Sequence, residues 1–324
     1  MIKVLKFNTG IILLSAFSWL VMSCNSDDGA EEAVDQDVID QGIITAYLES
    51  DSTIEAQFDE TSGINIIIEQ ENPGGASLSA GDIVEAFYEI KSLETGLVID
   101  IKDSIRGTGK MRFGEDAIFP IGFDQALAFM KVGEAYRFLV PSSLGYGDIE
   151  VVGLIAPNDV LDITISVEDI LTNGEQLAIE EADIDKYIID NGLNGEFNIV
   201  GGIYLSKTDE LDSGRLAGIG EDVEITFLGT FLNGEPFDGT FGNETFSFEF
   251  GTGEVIPGLD IGVAELFFGE SAMIIIPSEL AYSGSAHVMP PLIRGELVTR
   301  NVIPTYAATV GAFEPLVFEL SLLP

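Results

Sequence analysis

VPSSLGY, at residues 140–146, decides how the chain is organised, because a second version of it follows. That second version is IPSELAY, at residues 276–282, which begins 136 residues further along. In both, a branched apolar residue, a proline and a serine precede a leucine and then a tyrosine. A match of this kind between distant parts of one chain indicates duplication, so other blocks should repeat as well.

Three further pairs of blocks lie in the same order at nearly the same offset. GINI at 63–66 matches GIYL at 202–205 (offset 139), Asp82 matches Asp222 (140), and TGLVID at 95–100 matches NGEPFD at 233–238 (138). A drifting offset is what small insertions produce in a duplicated module. The period has the size of a domain, so we predict two tandem domains, at 36–172 and 173–324, and no solenoid.

Each copy also has the same pattern of short strands, glycine turns and one short helix. Acidic amphipathic stretches come first, at 38–49 and 177–191, with Tyr47 and Tyr187 as matching apolar anchors. Strands are predicted over 64–69, 83–90, 161–167, 203–207, 223–228 and 316–320, and short core helices over 123–130 and 259–267. This pattern predicts an α+β fold, in which each antiparallel sheet wraps around a short helix.

The composition excludes several classes of function. The formal net charge of −41 repels phosphate backbones, so we predict no nucleic-acid partner. An apolar share of 46%, with 21 Phe, is enough for folded cores. The one Cys and the one His exclude a disulfide framework and multi-histidine or cysteine metal sites. We therefore expect no metal and no cofactor.

The first 24 residues have the pattern of an export signal. Lys3 and Lys6 precede an apolar stretch at 11–22, which is short for a bilayer crossing. It ends in VMSC at 21–24, which resembles a bacterial lipobox. We expect a signal peptide at 1–23, acylation of Cys24 and an acidic tether at 24–35; a secretory signal with an incidental cysteine is the alternative. Lipid on Cys24 predicts anchoring to the outer membrane, at its periplasmic face or at the cell surface.

The series of blocks resembles the FKBP family of peptidyl-prolyl cis-trans isomerases. Over about 202–324 it consists of VEITFLGT (223–230), NGEPFD (233–238), FSFEFGTGEVIPG (246–258), IPSELAY (276–282) and LVFEL (316–320). Over about 63–170 the first copy adds MKVGE (130–134) and IAPN (155–158) to VPSSLGY. The resemblance implies two tandem FKBP-like domains and an isomerase that assists the folding of exported proteins. Its partners would be proline-containing unfolded or exported polypeptides.

This activity suits a chain that is poor in His and Cys. Rotation about an X–Pro bond meets a barrier of roughly 18–20 kcal/mol, because amide resonance is lost at the twisted midpoint. A site needs an apolar cup for the pyrrolidine ring, hydrogen bonds that favour the twisted amide, and exclusion of water. Lowering the barrier by about 5 kcal/mol gives on the order of 10³–10⁴ in rate.

The resemblance implies a polar pair and an apolar wall in each copy. The polar pairs are Asp100 with Tyr146 and Asp238 with Tyr282, the tyrosine donating to the substrate carbonyl. The wall of the second copy is Phe227, Phe237, Phe246, Val255, Ile256, Leu259, Met289 and Phe318, with His287 at the rim; that of the first is Tyr88, Ile99, Phe123, Leu154 and Ile155. The chain departs from the family pattern where Phe227 replaces the usual Tyr and Leu259 the aromatic floor, and where Ile99 and Ile163 stand in place of Phe.

Some alternatives stay open at this level. Residues of about 292–314 are an insertion in the flap before the last strand, so MPP at 289–291 or Ile303-Pro304 can be the flap's Ile-Pro, and the insertion can cap the site. The paired aspartates can be turn caps, the tyrosines packed core residues and His287 an ordinary loop residue. The competing function is a non-catalytic, chaperone-like lipoprotein that binds proline peptides through degenerate FKBP domains. A third is a purely structural surface lipoprotein.

Overall fold

The computed structural model describes residues 35–115, 117–193, 197–284 and 286–324. The predicted signal peptide, Cys24 and all but the last residue of the acidic tether lie outside the described residues. Within the described ranges, no helix combines the length and the apolar character that a membrane crossing requires.

The first copy begins with a helix and continues as a sheet. Helix α1 (Gln36–Ser50) is followed by β1 (Gln57–Phe58), β2 (Asn65–Gln70), β3 (Ile83–Ser92), β4 (Val98–Lys102), β5 (Gly109–Arg112), β6 (Ile118–Phe119), α2 (Ile121–Leu127), β7 (Ala135–Val140), a 3-10 turn (Ser142–Leu144) and β8 (Leu161–Leu171). The sheet is antiparallel in the order β1-β2-β7-β8-β3-β4, with β5 also paired to β3. Its inner face packs on α2, and Phe123 of that helix is fully buried.

The second copy repeats this arrangement. It consists of α3 (Asn173–Asp190), β9 (Asn198–Val200), β10 (Ile203–Asp209), β11 (Asp222–Phe231), β12 (Pro236–Gly239), β13 (Phe246–Glu249), α4 (Pro257–Ala264), β14 (Ser271–Ile276), a 3-10 turn (Ser278–Leu280), β15 (His287–Val288), a 3-10 turn (Pro291–Ile293), α5 (Arg294–Thr299), a 3-10 turn (Thr305–Ala308) and β16 (Leu316–Leu322). The sheet order β9-β10-β14-β16-β11-β12, with β13 beside β11, matches the first sheet strand for strand. The prediction of two α+β copies, each with an antiparallel sheet around a short helix, is confirmed.

Both core helices begin and end two or three residues earlier than the sequence pattern predicts. Helix α4 starts at Pro257, whose fixed φ and missing N–H suit the first helical position. Helix α2 ends at Leu127, after which Ala128 and Phe129 continue as a turn. The apolar spacing that suggested longer helices therefore extends into the turns that follow them.

The N-terminal helix of each copy covers the outer face of its sheet. Ile44 of α1 packs with Leu139 of β7, and Ile184 of α3 packs with Ile275 of β14. Tyr47 and Tyr187 pack at the edges of these two clusters, as the repeat predicts. The inner faces therefore remain for the core helices and the candidate sites.

One segment of the second copy leaves its own domain. Residues 286–307, here called the arm, include β15, which pairs in parallel with β6 of the first copy. The His287 N–H donates to Ala117 O at 2.6 Å, and the Met289 N–H donates to Phe119 O at 2.9 Å. The peptide bonds Phe119-Pro120 and Met289-Pro290 are cis. The arm joins the first core through Ala286, Val288, Met289, Ile293, Leu297, Ile303 and Ala307. The predicted insertion thus covers the other copy.

Candidate functional site

The tyrosine of the first polar pair is positioned by a contact between helix α1 and the turn after β7. Asp40 of α1 is fully buried and accepts from the Ser142 N–H at 2.7 Å and from the Ser142 hydroxyl at 2.6 Å, both through Oδ2. Gln36 donates to its other oxygen at 2.7 Å. This helix–turn contact fixes the start of the segment that carries Tyr146.

The second copy has the same helix–turn contact with a longer acid. Glu180 of α3 accepts from the Ser278 N–H at 2.7 Å and from its hydroxyl at 2.6 Å, while Gln176 donates to Glu180 at 2.7 Å. Sequence reasoning missed these positioning residues. The signal was available, because Gln36 and Asp40 recur as Gln176 and Glu180 at an offset of 140.

The first polar pair lies beside a cluster of buried and partly buried side chains, Tyr88, Ile99, Phe123, Leu154 and Ile155, here called the first cup. Asp100 accepts from the Ile101 N–H at 2.8 Å and from the Tyr88 hydroxyl at 3.4 Å. Burial raises the pKa of Asp100, although these two donors oppose the shift. Tyr88 meets the ring of Phe123 edge-on at 5.3 Å between centroids. The other expected wall residues pack in the same cluster: Ile99, Leu154 and Ile155.

The first cup contains a prolyl amide of the chain itself. The Tyr146 hydroxyl donates at 2.8 Å to the carbonyl oxygen of Met289, which belongs to the Met289-Pro290 amide. Met289 is fully buried, and Pro290 is buried as well. Burial, with the nearby charge of Asp100, holds the pKa of Tyr146 well above its usual value. Tyr146 therefore remains a neutral donor at physiological pH.

The positions of His287 and Met289 correct two expectations. Both were expected at the pocket of the second copy, and both lie at the first cup instead. The His287 ring is 6.5 Å from that of Tyr88, and Met289 belongs to the same buried cluster as Tyr146. The cause is the pairing of β15 with β6 and the burial of the arm's apolar side chains in the first core. Neither MPP at 289–291 nor Ile303 belongs to the second copy's core.

The wall of the second copy is a cluster of phenyl rings, here called the second cup. Phe318 lies 5.8 Å from Phe227 and 5.6 Å from Phe237, and Phe227 lies 6.0 Å from Phe246, between ring centroids. The remaining expected wall residues are buried in the same cluster: Val255, Ile256 and Leu259. Phe248, which sequence reasoning missed, stacks on Phe246 at 5.7 Å. Its position two residues along the same strand was the available signal.

In the second polar pair, the described residues show no bond from Tyr282 to a proline segment. The Asp238 carboxylate accepts from the Gly239 N–H at 2.8 Å, as Asp100 does from its own neighbour. Burial, then the charge of Asp238, raises the pKa of Tyr282. The ring of Tyr306, from the far end of the arm, stacks on Tyr282 at 4.4 Å. Among the described residues, none accepts a hydrogen bond from the Tyr282 hydroxyl.

A cleft of about 780 Å³ lies between the two copies, beside the first cup. Tyr88, Asp100, Lys102, His287 and Arg294 are among its lining residues. Burial lowers the pKa of His287 to about 4, and the positive charges of Arg294 and Lys102 act in the same direction. His287 is therefore neutral at physiological pH, which is compatible with its place between two cations.

Comparison with known proteins agrees with the repeated fold. The family model described as FKBP-type peptidyl-prolyl cis-trans isomerase matches residues 74–168 and again 214–323. Together these ranges cover well over half of the chain.

Curated relatives match about half of the chain. Peptidyl-prolyl cis-trans isomerase FKBP9 of Rattus norvegicus is 30% identical over 162 residues, which is 50% of this chain and 24% of the relative. Peptidyl-prolyl cis-trans isomerase FKBP10 of Mus musculus is 30% identical over 173 residues, 52% of this chain and 26% of the relative. The matched part of this chain thus spans about a quarter of each relative's length.

Among solved structures, the three FKBP domains of wheat FKBP73 match with a TM-score of 0.31 and 20% identity, covering 83% of this chain and 98% of that one. The first matched region of the family model runs from before β3 into β8, and the second contains β11 to β16. The chain therefore belongs to the FKBP-type peptidyl-prolyl cis-trans isomerase family, with its FKBP domains in tandem.

Proposed function

We propose that this chain catalyses cis–trans isomerisation of X–Pro bonds in unfolded and exported polypeptides, without a metal or cofactor. One observation carries the proposal: the Tyr146 hydroxyl donates to the carbonyl oxygen of a prolyl amide at 2.8 Å. Family membership and the polar pair in each cup support it. This bond supports the proposal, because the activity requires a contact of this kind with a proline segment.

The geometry of the cups suits the energetics of amide rotation. A tyrosine that holds the carbonyl oxygen fixes one side of the C–N bond, so the proline side can turn against a fixed reference. The planar amide is the more polar form, and a dry apolar wall stabilises it less than water does. Both effects lower the free energy of the twisted amide relative to the planar one.

We assign turnover on outside peptides to the second cup. Tyr146 is engaged by the chain's own Met289, whereas the Tyr282 donor is not occupied by any described residue. Asp238 and the phenyl rings of the second cup supply the remaining parts of the site. Tyr306, stacked on Tyr282, forms part of its cover.

A protease-coupled isomerisation assay on the full chain tests this proposal. Tyr282→Phe combined with Asp238→Ala should lower kcat/KM by about 10- to 100-fold, which corresponds to about 1.4–2.8 kcal/mol of transition-state stabilisation. Glu244→Gln, an exposed substitution in the same copy, serves as the matched control and should not change the rate.

The filled first cup favours one alternative, a proline-peptide binding protein without turnover. No isomerase activity in the full chain, together with retained binding of proline peptides, would establish that alternative. Activity that is unaffected by the double substitution would remove the second cup from the proposal.

We further propose that the chain is exported and anchored to the outer membrane through lipid on Cys24. The lipobox-like VMSC at 21–24, directly after an apolar stretch, supports this. Cys24→Ala should move the protein from the membrane fraction to the soluble fraction. Ser23→Ala keeps a small residue before the cysteine and should leave the protein with the membrane. An unchanged distribution of the cysteine variant would exclude the anchor.

A further inference from the structure

The hydrogen bonds between residues 286–291 of the arm and the first copy use backbone atoms of the arm, which any extended peptide possesses. Two backbone N–H groups of the arm, those of His287 and Met289, donate to the backbone of β6 and the residue before it. The third bond, from Tyr146, ends on the backbone carbonyl of Met289. An outside peptide with proline in the same place offers the same donors and acceptor.

The side chains of the arm divide sharply into buried and exposed. Val288 and Met289 are buried to 98% or more, and Pro290 is buried too. Pro291 and Leu292, the next two residues, are exposed. The first cup therefore encloses the side chains of Val288, Met289 and Pro290. Pro291 and Leu292 lie outside it.

The rest of the arm ties this short segment down. Ile293, Leu297 and Ile303 are buried in the first core, and Arg300 bonds to Asp148 of the first copy at 2.5 Å. A ligand that is covalently attached by a short segment has an effective concentration of about millimolar or more. A free peptide of ordinary affinity cannot displace such a ligand at micromolar concentration.

We infer that residues 286–291 are the resident ligand of the first cup, which they keep closed to outside peptides, and that this cup accepts extended segments with two apolar residues before proline. The inference rests on the proposed role of the cups as prolyl-peptide sites. It does not require the first cup to be a catalyst. In this inference the first cup is occupied by the chain's own arm, whereas the second cup is the one that takes outside peptides.

A binding experiment with the arm's own sequence tests this. The probe is a fluorescent peptide Ala-His-Val-Met-Pro-Pro-Leu-Ile, a copy of residues 286–293, measured by anisotropy against the full chain. All proteins carry Tyr282→Phe and Asp238→Ala, so that the second cup contributes little. Val288→Asp with Met289→Asp should expel the arm, because it places two charges in a dry pocket. The expelled variant should bind the peptide at least tenfold more tightly than its parent.

Three controls locate the binding. Leu292→Asp, an exposed change beside the same prolines, should leave peptide affinity at the parent value. A probe with Ala in place of the first proline should bind the expelled variant at least tenfold more weakly. Tyr146→Phe, added to the expelled variant, should also weaken binding.

A second measurement uses the chain with its arm intact and so does not depend on how the Asp variants fold. Millimolar peptide should accelerate hydrogen exchange at the His287 and Met289 amides, whose hydrogen bonds to the first copy are then replaced. Unchanged exchange at that concentration, or a folded expelled variant that gains no affinity, overturns the inference. Gained affinity, together with no isomerase activity in the full chain that retains Tyr282 and Asp238, would instead leave the inference standing and defeat the proposed catalysis.

Discussion

The two cups share their polar pair and the strands that carry it, but their walls are built from different side chains. The cross-strand partner of Asp100 is Ile90, whereas the partner of Asp238 is Gly229. Ile163 of the first copy stands opposite Ile90, and Phe318 of the second stands opposite Gly229. The first wall is therefore largely aliphatic, and the second is made of phenyl rings.

Each wall shows compensation between neighbouring positions. A Cβ atom on Gly229 would lie 2.6 Å from the ring of Phe237, so the large ring requires the missing side chain. At the strand beside β3 or β11, the first copy has the smaller residue and the second the larger. Gly109 of β5 corresponds in register to Phe246 of β13. In the first copy the aromatic side chain is instead Phe123 of the core helix, whereas the second copy has Leu259 in its core helix. Two copies of one motif can thus preserve a fold and a polar pair while exchanging the shape of the pocket.

The largest expected effect comes from breaking what the copies have in common. Glu180→Ala leaves the Ser278 N–H and hydroxyl buried without an acceptor, which should lower the free energy of unfolding by about 4 kcal/mol. Asp40→Ala should cost about the same. Chemical denaturation monitored by circular dichroism measures both, with the exposed Glu181→Ala as control. A loss under about 1 kcal/mol in either variant would mean that the contact does not hold the turn.

Making the second wall resemble the first should have the next largest effect. Gly229→Ile drives a side chain into the ring of Phe237 and should cost about 3 kcal/mol of stability. Adding Phe237→Ile, the residue type found at Ile99, should recover more than half of that loss. Thermal and chemical unfolding of the two single variants and the double variant form the cycle. Additive losses would contradict the compensation between these positions.

The buried His287 of the arm should make the free energy of unfolding depend on pH. The pKa of His287 is about 4 in the folded chain and lies near 6.5 when unfolded, so only the unfolded state gains a proton between these values. The free energy of unfolding therefore falls as the pH drops from 6.5 to 4, by about 2 kcal/mol through this one group. His287→Gln removes this contribution. Denaturation curves at pH 8 and pH 4 should show that the free energy of unfolding decreases less in the variant than in the parent. Equal decreases would contradict the burial of a neutral His287.

The smallest effect compares the two tyrosine hydroxyls. Tyr146→Phe leaves the buried Met289 carbonyl without a donor and should cost about 1 kcal/mol of stability. Tyr282→Phe removes a hydroxyl that no described residue accepts from, so its effect on stability should be near zero. Denaturation midpoints at constant m-value measure the difference. Equal changes in stability would show that the hydrogen bond from Tyr146 to Met289 does not stabilise the first cup relative to the second.

Much of the fold could be predicted because both copies repeat the same local signals. The spacing of VPSSLGY and IPSELAY located the turns before Tyr146 and Tyr282, and alternation located the central strands. The turns and strands depend on neighbours within a strand or a turn, which a sequence displays directly. The phenyl wall of the second cup was implied by the resemblance of its motifs to the FKBP family.

The destination of the arm could not be predicted in the same way. The stretch MPP at 289–291 fits a flap over either cup, and the choice is made by contacts between residues far apart in sequence. Tyr146 and Met289, for example, are separated by 143 positions. The pairing of β15 with β6 involves two residues on each strand, which is too short to leave an alternating pattern.

The binding of the second copy's arm to the first copy also has a consequence for the synthesis of the protein. The first copy is translated before the residues of the arm that fill its cup, with β9 to β14 of the second copy in between. Contacts that close so long a loop form late, and the apolar lining of the first copy is exposed to solvent until they do. A truncated product that stops before β15 would lack the arm residues that complete the core of the first copy.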